Sequence, residues 1–164
     1  MRITLSGLMV AMMLVLGYVE SLLPDFIVPG VKLGLSNSIL IFAIYMLDIP
    51  MAWLMMALKV VLSALLFKGG FGPTMYYALA GGVLSMLAMT IFRRIRGMHP
   101  VTVSMMGGVM HNLGQVLMAI LLLGTDQLIF FMAVLMITGL AFGAATGVCA
   151  NLVMKHLKFL KKKI

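Results

Sequence analysis

A few polar side chains stand inside long apolar runs, and their types and spacing suit the binding of a small solute. His111 and Gln115 are four residues apart, so on a helix they share one face, with Ser104 close to the same stripe one heptad earlier. Asn112 lies beside His111 in the same run. Side chains of this kind often join membrane helices, at an average of about 0.6 kcal/mol each. His111 taken alone reads that way; together with Asn112 and Gln115 it points to a ligand pocket. Lys59 sits in the middle of another apolar run, where a lysine costs about 2.5 to 3.5 kcal/mol on insertion scales. It reads as a ligand contact or buried ion pair facing the bundle interior, or as a snorkelling or structurally paired lysine. Glu20 is the first partner to test for it. Ser36, Asn37 and Ser38 open a further apolar run, either as N-capping residues or as a source of backbone N–H groups and an Asn amide beside a pocket. Lys32 nearby would favour an anionic group on the ligand.

The elements that must position these residues belong to a membrane. The chain is 63% hydrophobic with a mean hydropathy of +1.19, and only 10% of its residues are charged, against roughly 25% in soluble domains. Its 164 residues make one transmembrane domain with no space for an appended soluble module. All five prolines fall at breaks in the apolar pattern, where helices begin or stop. The pattern predicts an all-α bundle of about six transmembrane helices: Ile3 to Leu23, Leu35 to Leu47, Pro50 to Phe67, Pro73 to Phe92, Pro100 to Leu123 and Leu128 to Met154, followed by a basic tail over 155–164. The first stretch lacks a small-residue cleavage pattern and reads as a retained helix.

Basic residues give the direction. With the N-terminus inside, Arg2, Arg93, Arg94, Arg96, Lys155, Lys158, Lys161, Lys162 and Lys163 are cytoplasmic, against Lys32 and Lys68 outside; this bias predicts both termini in the cytoplasm. The second helix is too short to span. The segment before it, Phe26 to Gly34, is too apolar for a solvated loop and too rich in Pro and Gly for a helix. It is expected to fold back into the outer half of the bundle and line a pocket. Small residues at spacing four, Gly7 and Ala11, Ala78 and Gly82, and Gly139, Gly143 and Gly147, let helices approach closely. The Gly7–Ala11 pair also suits docking of a partner membrane protein. The nineteen methionines read chiefly as gap-fillers.

Several functions are set aside. The net charge of +8 lies at helix ends and not in a stripe between aromatics, so no nucleic acid is expected. The tail suits anionic lipid. Cys149 has no partner cysteine, and His99, His111 and His156 lack the spacing of a metal site. No metal or cofactor is expected.

The segment Pro29 to Asn37, the Ala80-Gly81-Gly82 run after Tyr76-Tyr77, and above all His111-Asn112-Leu113-Gly114-Gln115 resemble the small bacterial membrane proteins called Gx transporter family proteins, also labelled heptaprenyl diphosphate synthase component I. The resemblance covers nearly the whole chain. That family in turn is similar to the substrate-binding S components of energy-coupling factor (ECF) transporters, which bind vitamins or related molecules and dock through helix one on a transmembrane coupling subunit. It implies a membrane substrate-binding subunit for a vitamin, flavin or quinone-precursor-like solute. Lys32, Asn37, Lys59, His111, Asn112, Gln115 and Glu20 would be its site and Gly7 and Ala11 its docking face, although glycine replaces the usual first alanine. ATPases would be supplied by other chains, since no Gly-Lys-Ser/Thr phosphate loop is present. The synthase label implies instead an accessory subunit in prenyl diphosphate or quinone metabolism. Prenyl synthases clamp magnesium with clustered aspartates, whereas Asp25, Asp48 and Asp126 stand apart, so the chain is not expected to be an enzyme.

Overall fold

Proline and glycine set the helix limits. In the computed structural model, which describes residues 2–22, 36–67 and 70–163, the chain forms six α-helices and one 3-10 turn, with no strand among the described residues. They are α1 (Arg2–Leu22), α2 (Asn37–Met46), α3 (Ile49–Phe67), α4 (Pro73–Arg94), α5 (Pro100–Leu123) and α6 (Ile129–Lys163). Asp48 starts α3 by accepting the Met51 amide on Oδ1 at 2.9 Å. His99 starts α5 by accepting the Val101 amide on Nδ1 at 3.3 Å. Gly124 ends α5 in the left-handed region at φ 62°, a conformation a side chain would disfavour.

Five of the helices are long and apolar enough to cross a membrane, and α2 is not. Its ten residues rise only about 15 Å. The short helix is nevertheless the hub of the bundle: it packs on α1, α3, α5 and α6, and Leu40, Ile41, Ala43 and Ile44 are completely enclosed. The apolar segment expected to fold back before it, with Lys32, lies outside the described residues, as does Lys68.

Two kinds of packing hold the helices. Through α4, α5 and α6 backbone meets backbone. A Cβ at Gly114 would stand 2.7 Å from the Ala80 carbonyl oxygen, one at Gly139 2.7 Å from that of Gly108, and one at Gly143 2.7 Å from Met105 Cα. The small residues expected to bring helices together in α6 therefore do so, against α5. On the other side thioethers fill the space: Met9 and Met13 of α1 and Met55 and Met56 of α3 are all buried, whereas Met89 of α4 packs over Gly107 of α5.

Paired side chains fix which helix ends lie together. Tyr18 near the end of α1 stacks on Phe67 at the end of α3 at 5.1 Å, and Arg93 at the end of α4 lies 5.3 Å over the Tyr45 ring at the end of α2. Consecutive helices run in alternate directions, so the arginines after α4 and the lysines of α6 share one end of the bundle. The basic residues over 155–163 do not form a separate tail. They are the last turns of α6, which has 35 residues and at about 52 Å outruns a hydrocarbon core of about 30 Å. Lys, Leu and Phe carry no helix-stopping signal, and no Gly or Pro interrupts them.

Candidate functional site

The polar residues singled out by type and spacing converge on one region. Toward the bundle end opposite the arginines, all of the first five helices contribute to a cavity of about 540 Å³, its open mouth included. Gly17 and Glu20 come from α1, Lys59 and Ser63 from α3, Gly82 from α4, and His111 and Gln115 from α5; Asn37 and Leu40 of α2, with Ser36 just before it, form the floor. Glu20 and Lys59, suspected partners by residue type, thus face the same space, and Glu20 is only 6% exposed. The Lys59 ammonium donates to the Asn37 amide oxygen at 3.4 Å, which ties α3 to the start of α2.

The expected capping by Ser36 does not occur. Its backbone is already α-helical (φ −64°, ψ −20°) and its side chain makes no cap bond; the residue is buried at 2% exposure and lines the cavity. The α2 amino end thus contributes wall in addition to backbone N–H groups.

His111 and Gln115 share a helix face as their spacing requires, and that face is set against glycine. A Cβ at Gly81 would stand 2.8 Å from the His111 carbonyl oxygen and 2.9 Å from Gln115 Cγ. Gly81 therefore gives the two polar side chains the room to lie between α4 and α5. Met56 occupies the corresponding space over Gly82, its sulfur 2.9 Å from where a Cβ would be. A methionine there is a wall that can change shape.

A second, smaller cavity lies between α4, α5 and α6 and shares Asn37 and His111 with the first, so these two residues form the partition. It is narrow, with room for about one water molecule. Its wall includes Ser104, whose hydroxyl lies 3.2 Å from that of Thr146, and Asn112, whose amide donates to the Leu135 carbonyl oxygen at 2.6 Å. Asn112 thus points away from the outer cavity and fastens α5 to α6. Ser85 also lines this space, 1% exposed, and its hydroxyl has no hydrogen-bond partner among the described residues. Sequence reasoning passed over Ser85 and Thr146, because a single hydroxyl in an apolar run has no spacing to announce it.

Gly7 and Ala11 lie on the exposed face of α1, away from both cavities, and a Cβ at Gly7 would meet nothing within 4 Å. No group of three or more His, Cys, Asp or Glu that could hold a metal ion occurs among the described residues.

Membrane helices with a polar pocket occur in many unrelated proteins, so the site alone names no family. No curated protein and no solved structure matches the chain. A family model does match, that of heptaprenyl diphosphate synthase component I, over residues 9–153. The match takes in all the described cavity residues, from Gly17 to Gln115. The chain belongs to the heptaprenyl diphosphate synthase component I family.

Proposed function

We propose that the chain is a non-catalytic membrane subunit serving prenyl diphosphate or quinone metabolism, and that its outer cavity receives the polar end of a prenyl product or quinone precursor. The family match carries this reading. A first component requires others, and the separated aspartates of this chain leave magnesium-dependent condensation to a soluble, aspartate-rich partner. Lys59, Asn37, His111, Gln115 and Glu20 would contact the ligand, and Lys32 would add a further contact. Asn112 would support them by holding α5 on α6. The protein would lie in the bacterial cytoplasmic membrane with both termini inside, the last turns of α6 held by anionic lipid.

Affinity purification of the tagged chain from mild detergent should bring down a soluble prenyl synthase, and deletion should change the prenyl chain length of the cell's quinone. Absence of both effects would overturn the reading.

A specific observation supports a second reading, the solute-binding subunit of an ECF-type transporter. The polar cavity lies toward the end of the bundle away from the basic residues, where capture from outside would take place, and Gly7 and Ala11 leave an exposed face on α1 for a coupling subunit. That reading predicts uptake of a vitamin, flavin or quinone precursor that depends on ATPases of other chains. Loss of uptake on substituting Lys59 or His111, with no change in quinone chain length, would favour it over the first.

A further inference from the structure

The cavity contains one carboxylate and one ammonium among its described lining residues, Glu20 and Lys59. Each restricts what can be bound. A carboxylate only accepts hydrogen bonds and an ammonium only donates them, whereas Asn37, Gln115 and His111 serve either way. Glu20 is buried on a membrane helix, and its charge offsets that of Lys59 in the same cavity, so the pair leaves little net positive charge to hold an oxyanion.

A diphosphate suits this chemistry poorly. It is acceptor-rich and carries several negative charges, and sites that hold one use arginine forks, magnesium or several converging amides. Arg93, Arg94 and Arg96 are at the opposite end of the bundle. Glu20 and Lys59 cancel, and the amino end of α2 adds a partial positive charge of only about +0.5, which does not neutralise a group carrying several negative charges. Of the remaining wall, Ser36 and Ser63 add hydroxyls, Leu40, Met56, Val60 and Ala78 are apolar, and Met56 over Gly82 is the part able to yield.

We infer that the cavity selects a head group of zero net charge carrying both a hydrogen-bond donor, directed to Glu20, and an acceptor, directed to Lys59, and that it rejects the diphosphate form of the same lipid. Hydroxyl-bearing heads such as a prenyl alcohol or a quinol meet this requirement. The inference rests on the reading of this cavity as the subunit's ligand site. It places the chain after the diphosphate has been removed or transferred, so that the class of reaction supplying its ligand is hydrolysis or prenyl transfer from a prenyl diphosphate.

Native mass spectrometry of the protein in lipid nanodiscs, with farnesol, farnesyl diphosphate, menadiol and menadione as separate probes, tests this. The wild-type protein should retain farnesol and menadiol at least about tenfold more tightly than farnesyl diphosphate, and menadiol more tightly than menadione, which offers no donor. Glu20→Gln should raise farnesyl diphosphate retention by about tenfold or more, and Lys59→Met should lower retention of farnesol and menadiol. Should Glu20→Gln fail to fold with Lys59 left uncompensated, the double variant Glu20→Gln, Lys59→Gln, which buries no net charge, should lose the preference of alcohol over diphosphate. Equal or tighter binding of farnesyl diphosphate by the wild type would overturn the inference, as would failure to retain any of the four probes. Neither result bears on co-purification with a synthase or on quinone chain length, so the broader reading stands or falls separately.

Discussion

The α4–α5–α6 slab and the α1–α2–α3 layer are both built from apolar helices and hold together in opposite ways. In the slab, glycines let one helix backbone touch the next, and side-chain bonds such as Asn112 to Leu135 cross the contact. In the layer, buried methionines fill the gaps around a short helix that cannot span a membrane. A backbone contact has almost no freedom to adjust; a thioether with three rotatable bonds has a great deal. The polar cavity lies at the junction, with His111 and Gln115 presented from the rigid side and Met56 and Lys59 from the adaptable one. The cavity is thus bounded by one wall that cannot yield, carrying His111 and Gln115, and one that can, carrying Glu20, Lys59 and Met56.

The comparison breaks most visibly if a bulky residue is forced into the slab. Gly143→Val should cost about 3 kcal/mol or more, because its Cβ position lies 2.7 Å from Met105 Cα and 2.8 Å from the Ser104 carbonyl oxygen, neither of which can move without moving α5. Thermal unfolding in detergent, followed by helical circular dichroism, reads the effect. A variant as stable as the parent would mean that α5 and α6 are not limited by backbone contact. Asn112→Leu tests the side-chain bond across the same interface. It should cost about 1 kcal/mol, in the range of buried hydrogen bonds between membrane helices, and leave head-group selectivity unchanged.

How much of this was legible in sequence follows the same division. Proline punctuation placed the helices, and the spacing of His111 and Gln115 put them on one face, because both signals are local. The glycine spacing in α6 announced close packing but not its partner; that Gly139 meets Gly108 and Gly143 meets Met105 is decided by the fold. Asn37 looked like a capping residue because its neighbours are serines, yet its side chain reaches Lys59, twenty-two residues along the chain. The union of Glu20 with Lys59 in one cavity was suggested by charge alone, since no periodicity connects residues on different helices. The helical course of the last basic turns was within reach of the sequence, since nothing there stops a helix. Ser85 was not, as its interest lies in being enclosed without a partner.

Ser85→Ala sharpens the comparison inside the slab. A buried hydroxyl without a partner costs stability, so its removal should leave the protein as stable as before or more stable, by about 0.5 to 1 kcal/mol. A loss of stability of that size would show that the hydroxyl is satisfied by a water in the narrow inner cavity.

The smallest effect on stability, and the clearest separation of the two regions, is expected from Met56→Leu. The swap conserves volume closely and should cost under about 1 kcal/mol, far less than the valine forced in at Gly143. Leucine, however, lacks the extra rotatable bond with which methionine can swing from over Gly82, and its branched end is fixed in fewer rotamers. If the layer side of the cavity opens by rearranging this side chain, retention of a bulky head such as menadiol should fall several-fold while that of farnesol changes little, with the melting temperature unmoved. Equal retention of both probes would mean that the cavity widens elsewhere, and the division into a rigid wall and a yielding one would then have to be drawn without Met56.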